Sequence, residues 1–171
     1  MSSAAVFIVF PLCLAFAAMS DLLTMTIPNR VSAVLLGTFF VVALMSGFDF
    51  WQIGLHVAAA AAVFAVCFLL FALNVMGGGD AKLLTACAVW FGLTNALVAF
   101  LIYVSLFGGL LTVAILLLRT QETRILAAGI PLPRLLFTAK KIPYGIAIAL
   151  GGFVAYPASP LMLQAFSQLK G

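Results

Sequence analysis

Two aspartates, Asp21 and Asp80, are the residues of this sequence best suited to carry out chemistry. The chain has four acidic residues, and the other two, Asp49 and Glu122, lie in predicted loops where a carboxylate costs little. Asp21 and Asp80 instead lie where an apolar stretch meets a predicted loop. An ionisable residue at membrane depth is costly and indicates a function by default. The alternative is that both are ordinary helix-end charges at the membrane surface.

Two carboxylates held within a few ångströms of each other form a recognised catalytic apparatus. Both cannot ionise comfortably, so they share one proton and titrate as a pair. The ionised partner takes a proton from water while the protonated partner polarises a carbonyl group. This chemistry cleaves a peptide bond without a covalent intermediate.

The residues around each aspartate favour a functional site over a surface charge. Asp80 ends the run Gly77-Gly78-Gly79-Asp80, directly after an apolar stretch. We expect these glycines to end the preceding helix and to let another backbone come close. Irregular backbone at membrane depth is tolerated where it is buried in protein or lines a wet cavity. The segment is therefore predicted to form a cavity with a carboxylate in its wall, and Ile27-Pro28-Asn29 to form a turn beside Asp21.

The composition indicates that these residues belong to an integral membrane protein. Of the 171 residues, 66% are hydrophobic and 7% are charged, whereas soluble domains average about 25% charged residues. This excludes a soluble globular domain, a disordered chain and a free-standing nucleic-acid binder. The length allows one domain, so residues 1–171 are predicted to form a single all-α, polytopic membrane domain.

Six transmembrane helices are predicted from the apolar segments. The stretch 83–118 has 36 residues without a charge, about 54 Å as a helix, which is too long for one crossing of a core of about 30 Å. We therefore divide it at Gly92-Leu93-Thr94-Asn95, a helix-stop signal. The remaining spans cover about residues 4–20, 31–46, 53–75 and 142–163.

The distribution of basic residues predicts the orientation of these spans. Seven of the eight Lys and Arg residues follow spans 1, 3 and 5, and the other, Lys170, lies on the opposite side. The positive-inside rule places the seven in the cytoplasm and both termini outside it. Asp21 and Asp80 then face the cytoplasm together and can meet. The basic, proline-containing loop 119–141 is predicted to lie on the lipid surface.

No metal or organic cofactor is expected. The chain has one histidine, three dispersed cysteines and four carboxylates, which make no plausible closed ligand set. His56 falls near the far side of span 3 and is predicted to be packed or interfacial. No serine-protease or zinc-protease motif is present.

The combined motifs resemble the type IV prepilin peptidases, GxGD-type aspartic proteases of the membrane. The resemblance rests on Asp21 with Ile27-Pro28-Asn29, on Gly77-Gly78-Gly79-Asp80-Ala81-Lys82-Leu83, and on Lys141-Ile142-Pro143-Tyr144-Gly145. It covers about residues 10–155 and is greatest for the small CpaA/TadV-like branch that serves Flp/Tad pili. It implies the six-helix GxGD protease architecture, with Asp21 and Asp80 as the catalytic pair.

The resemblance also implies the substrates and the location. Prepilins and pseudopilins carry a short basic leader ahead of an apolar helix, and these peptidases cut at the junction, on the cytoplasmic face of the bacterial inner membrane. Larger members carry a cysteine-paired cytosolic domain and also methylate the new N-terminus. This chain lacks that methyltransferase insertion, so cleavage alone is expected, with prepilins and membrane lipid as partners and no nucleic acid.

Several other residues are predicted to shape the site. Gly77 and Gly79 are expected to set the geometry of the loop, with helix packing as the alternative. Pro28 and Asn29 are expected to fix the turn beside Asp21. Lys82 is expected to tune Asp80 or to pair with a carboxylate of the substrate, with a positive-inside anchor as the alternative. Cavity lining and simple packing stay equal alternatives for the segment Tyr144-Gly145.

Two other functions remain open at this point. The first is a GxGD protease of the presenilin or signal-peptide-peptidase kind, although those carry a Tyr-Asp pair and here Ser20 precedes Asp21. The second is a proton-coupled transporter subunit that uses both aspartates as a relay. Transporters usually show internal repeats and midplane sites, and the sequence shows neither.

Overall fold

The computed structural model describes residues 2–121 and 142–170, and in these two ranges the regular structure is entirely helical. Within the described residues, seven α-helices and one short 3₁₀ turn, Tyr156–Ala158, follow one another in sequence. The helices are α1 (Ser2–Thr24), α2 (Asn29–Met45), α3 (Phe50–Ala72), α4 (Gly78–Phe91), α5 (Asn95–Thr120), α6 (Tyr144–Ala155) and α7 (Pro160–Lys170).

Helix α4 forms the centre of the bundle. It has 14 residues, about 21 Å in length, and α2, α3 and α6 pack around it. From Ala81 onwards most of its side chains are buried, and Trp90 is fully so. The indole Nε1 of Trp90 donates to the carbonyl of Leu35 at 3.1 Å, which satisfies the polar atom of this buried ring and fixes α2 against α4.

Helix α6 is packed between α1 and α5, and glycine makes this possible. A Cβ atom at Gly151 would lie 2.6 Å from Cγ2 of Val104 on α5. A Cβ atom at Gly152 would overlap the side chain of Leu14 on α1. Because these positions carry no side chain, the last part of the chain lies in direct contact with its first helix.

The predicted break between spans 4 and 5 is confirmed as a break between helices. Helix α4 ends at Phe91 and α5 begins at Asn95. Gly92 has φ of +62°, a conformation that glycine adopts without strain and that ends α4.

The expectation that Gly77–Gly79 end the third helix is wrong. Helix α3 already ends at Ala72, and the chain turns over residues 73–77, with Asn74 at φ of +57°. Gly78 and Gly79 form the first turn of α4. A short polar side chain such as that of asparagine tolerates the left-handed conformation, so Asn74 provides the turn that the sequence analysis assigned to the glycines.

Three described helices are long and apolar enough to cross a membrane: Ala5–Thr24, Phe50–Ala72 and Asn95–Thr120. A fourth span results if Tyr144–Ala158 and Pro160–Gln168, bent by 48°, act as one. Helix α2 is apolar but shorter, so the six-span topology stays a prediction. Most of the predicted lipid-surface loop, residues 122–141, lies outside the described residues.

Candidate active site

Asp21 and Asp80 line the same small cavity at the end of the bundle where α1 and α3 end and where α4 and α6 begin. The cavity has a volume of about 280 Å³. Its walls come from the α1–α2 turn, from the start of α4 and from the residue before Pro143. They are formed by Asp21, Met25, Thr26, Ile27, Asn29, Gly77, Gly78, Gly79, Asp80 and Ile142.

Asp21 lies in the last turn of α1, because the helix continues beyond the predicted end of the span to Thr24. Its side chain is buried, with 5% of its surface exposed. Oδ2 accepts a hydrogen bond of 2.7 Å from the backbone N–H of Gly145, the second residue of α6. The unpaired N–H groups of a helix start favour an anion, so α6 offsets part of the cost of burying this carboxylate.

Asp80 lies in the first turn of α4 and is half-buried. Its carboxylate folds back over the start of the helix, because Oδ2 would be 2.7 Å from a Cβ atom at Gly77. Each aspartate is therefore positioned at the N-terminal end of a helix, Asp80 at α4 and Asp21 at α6. Two helix starts directed at one cavity give it a favourable potential for negative charge.

Backbone conformation does not require glycine in this segment, since none of Gly77, Gly78 and Gly79 has a left-handed backbone. At Gly79 a Cβ atom would lie 3.3 Å from Cβ of Ile27, in the α1–α2 turn. At Gly78 it would lie 3.2 Å from the ring of Phe71, a side chain that is largely exposed and has room to move. Gly77 thus leaves room for the carboxylate of Asp80. Gly79 lets the start of α4 approach the turn that follows Asp21.

Hydrogen bonds among hydroxyl groups and carbonyls hold the α1–α2 turn in place. Ser20 Oγ donates to the carbonyl of Thr26 at 2.9 Å, and Thr24 Oγ1 donates to the carbonyl of Ser20 at 2.8 Å. Pro28 is the N-cap residue of α2, with extended backbone, and Asn29 is its first helical residue. Pro28 therefore ends the turn whose residues Met25 to Ile27 form one wall of the cavity.

Lys82 and Asn29 are bonded to each other at the margin of the cavity. The Lys82 Nζ donates to Oδ1 of Asn29 at 3.0 Å, and both side chains are exposed. The bond links the start of α2 to α4, two residues after Asp80. Asn29 lines the cavity and Lys82 does not, so Lys82 contacts a residue of the cavity wall without reaching the cavity itself.

Gly145, for which cavity lining and packing were equal expectations, lies directly against Asp21 in the structure. A Cβ atom at Gly145 would lie 2.9 Å from both Cβ and Oδ2 of Asp21 and 3.1 Å from Cδ1 of Ile27. The signal was present as the Ile142–Gly145 motif. Nothing local in the sequence, however, indicates which residue its glycine contacts.

The single histidine lies at the opposite end of the bundle. His56 is buried, and its Nδ1 is 2.6 Å from the carbonyl oxygen of Val89, near the end of α4. Asp49 serves as the N-cap of α3 in a capping box with Gln52, which is a structural role. Within the two described ranges, no group of three or more His, Cys, Asp and Glu side chains is arranged to hold a metal ion.

Comparison with known proteins gives one match. A model of the type IV leader peptidase family matches residues 8–113, which include Asp21 and the Gly77–Asp80 segment. The matched range ends before Gly145. The chain matches no curated protein and no solved structure closely enough for a relationship to be drawn.

Proposed function

Because this chain belongs to the type IV leader peptidase family, we propose that it cleaves the basic leader from prepilins and pseudopilins, with Asp21 and Asp80 as an aspartic catalytic pair. The observation that carries the proposal is the shared cavity. Two carboxylates that lie 59 positions apart in the sequence line one space of about 280 Å³. That volume admits a water molecule together with a short extended stretch of backbone.

The proposed reaction uses water as the nucleophile. The ionised aspartate removes a proton from the water as the oxygen attacks the scissile carbonyl, and the protonated aspartate donates a hydrogen bond to the developing oxyanion. The nitrogen of the leaving group then takes the proton that the first aspartate removed from the water, the peptide bond breaks, and the pair returns to its starting protonation state. The starts of α4 and α6 stabilise the negative charge that the pair carries through this cycle.

The basic residues at the cavity end of the bundle support a site on the cytoplasmic face of the membrane. Arg30 at the start of α2, Lys82 near the start of α4 and Arg119 at the end of α5 lie at the same end of the bundle as the aspartates. Under the positive-inside rule this end faces the cytoplasm. We place the protein in the bacterial inner membrane, in the CpaA/TadV-like branch that acts on Flp-type prepilins, without methyltransferase activity.

The proposed function is tested by a cleavage assay. The purified protein in lipid vesicles is incubated with a Flp-type prepilin, and the products are identified by mass spectrometry. We expect one cut at the junction of leader and apolar helix, and no methylated product when a methyl donor is added. A prepilin that stays intact with folded protein would overturn the peptidase assignment.

Replacing Gly77 with alanine is expected to lower cleavage by about ten- to a hundredfold, since a small misplacement of a reacting group has effects of this size. The new methyl group would lie 2.7 Å from Oδ2 of Asp80, so the carboxylate must move. The atom displaced is the end of a flexible side chain, and the fold should therefore persist. The measurement is cleavage rate per amount of folded protein.

Gly78→Ala is the matched control for this prediction. The three atoms nearest to its methyl group all belong to the ring of Phe71, the closest at 3.2 Å. We expect cleavage within about twofold of the wild type, because this ring is about half exposed and can move aside. Equal losses in the two variants would mean that Gly77 acts through the helix start in general and not through Asp80.

A further inference from the structure

An apolar groove opens between α3 and α5, along the side of the bundle that leads to the cavity. Helix α3 packs on α4 and α5 packs on α6, while α3 and α5 share little contact. The space between them has a volume of about 590 Å³, and its floor includes Leu84 and Ile148. We name it the α3–α5 groove, with walls that include Ala62, Val66 and Leu70 on α3 and Leu101, Ser105 and Gly109 on α5.

The α3–α5 groove is open to the surroundings of the protein. Val66 is 61% exposed on one wall. On the other wall, no atom lies within 4 Å of the place where Gly109 would carry a Cβ. From Leu97 to Gly109 the wall extends over thirteen residues of α5, about 18 Å from the first to the last. It can therefore receive about three turns of another helix along one face.

The groove continues into the site of the two aspartates. Leu70, Met76 and Tyr144 line both the groove and an adjoining space of about 530 Å³. That adjoining space in turn shares Gly77, Asp80 and Ile142 with the cavity that contains Asp21. An apolar surface thus leads without interruption to a polar cavity, and Asp80 lies where the two meet.

The chemistry of the walls determines what the groove can hold. The hydroxyl of Ser105 donates to the carbonyl of Leu101 at 2.8 Å, and that of Tyr144 lies 3.3 Å from Oγ1 of Thr112, so both are already hydrogen-bonded. A peptide in an apolar groove must then satisfy its own backbone, which requires a helix. At the cavity the same peptide meets carboxylates and exposed backbone, where an extended segment can be hydrated.

We propose that the α3–α5 groove binds the apolar helix that follows the scissile bond of the prepilin, and that this helix unwinds beyond Met76 and Tyr144 so that its N-terminal end reaches Asp80 and Asp21. The proposal rests on the proposed function and adds the location of the substrate. It explains why an apolar surface leads into a site built for hydrolysis. The occupant enters sideways from the membrane, with its leader at the cytoplasmic end.

A pair of tryptophan variants tests the proposal. Gly109→Trp places a large ring in the groove, whereas Gly37→Trp places the same ring on α2, at an exposed position that also has no atom within 4 Å of its Cβ. We expect Gly109→Trp to lower kcat/KM for a full-length prepilin at least tenfold, mainly through KM. Gly37→Trp should match the wild type. Equal kinetics in both variants would refute the proposal that the groove binds the prepilin helix. An inactive wild type would instead refute the proposed function.

Photocrosslinking gives a second measurement, which detects the bound substrate directly and does not require cleavage. A benzophenone amino acid replaces Gly109 or Gly37 in the Asp80→Asn protein, which we expect to leave a bound prepilin uncut, and a full-length prepilin in lipid vesicles is added. We expect adducts from position 109 to the apolar helix of the prepilin, and none from position 37. Adducts of position 109 with lipid alone would identify the groove as a lipid site and overturn the proposal.

Discussion

Asp21→Asn and Asp80→Asn are each expected to abolish prepilin cleavage, with a loss on the order of 10³-fold or more, because groups that act as a unit lose most of their effect when either is removed. Both carboxylates line one cavity, and an amide neither accepts the proton of the water nor donates as an acid does. The double variant should be no less active than either single one. The measurement is the rate of leader release from a Flp-type prepilin.

The chain offers a matched control in Asp49, which lies outside the cavity. Its Oδ1 accepts from the backbone N–H of Gln52 at 2.7 Å, as the N-cap of α3. Asparagine caps a helix about as well as aspartate, so Asp49→Asn should cleave at the wild-type rate. Near-normal cleavage by Asp21→Asn or Asp80→Asn would refute the aspartic pair. Loss of cleavage in all three variants would mean that the substitutions act by damaging the fold and not by removing catalytic groups.

Gly145→Ala is expected to lower cleavage by about a hundredfold or more, since displacement of a reacting group by about 1 Å has effects of this size. The added methyl group would lie 2.9 Å from Cβ and Oδ2 of Asp21. Both Asp21 and the start of α6 must shift, and the 2.7 Å hydrogen bond from the Gly145 N–H is lost or lengthened. The carboxylate of Asp21 then stays buried without its hydrogen-bond donor, so the free-energy cost of removing it from water is no longer offset.

Cleavage by the Gly145→Ala protein must be compared with the amount of folded protein, because α6 also packs against α1 and α5. Gly54→Ala is a suitable control, since no atom lies within 4 Å of its Cβ position. The control should keep both its fold and its activity. If Gly145→Ala is folded and cleaves normally, then the hydrogen bond to Asp21 has no part in the reaction.

The sequence predicted the helical class and the break at Gly92 for clear physical reasons. Long apolar segments specify helices in a membrane, because the backbone must form its own hydrogen bonds there. Glycine commonly follows the last residue of a helix, because it adopts positive φ without strain. The two aspartates also stood out from the sequence, since charge is rare in so apolar a chain. Each of these features depends on residues that are close together in the sequence, so a sequence pattern is sufficient to predict it.

Other features of the site depend on contacts that no local pattern contains. The sequence analysis assigned the turn before α4 to three glycines, but Asn74 makes it and the glycines provide space for Asp80 and Ile27. Gly145 was left undecided because its partner, Asp21, lies 124 positions earlier. Which glycine faces which side chain is set by helix packing, and packing follows from the whole bundle. The number of membrane spans stays a prediction.

The contact between Asp21 and Gly145 joins the first helix to a helix that is synthesised late. Asp21 leaves the ribosome with the first helix, and its hydrogen-bond partner follows only 124 residues later, with α6. A nascent chain that has already inserted both aspartates still lacks one wall of the cavity, because Ile142 and the start of α6 are missing. A translation product that ends before α6 therefore lacks part of the proposed active site, and we expect it to leave prepilins uncut.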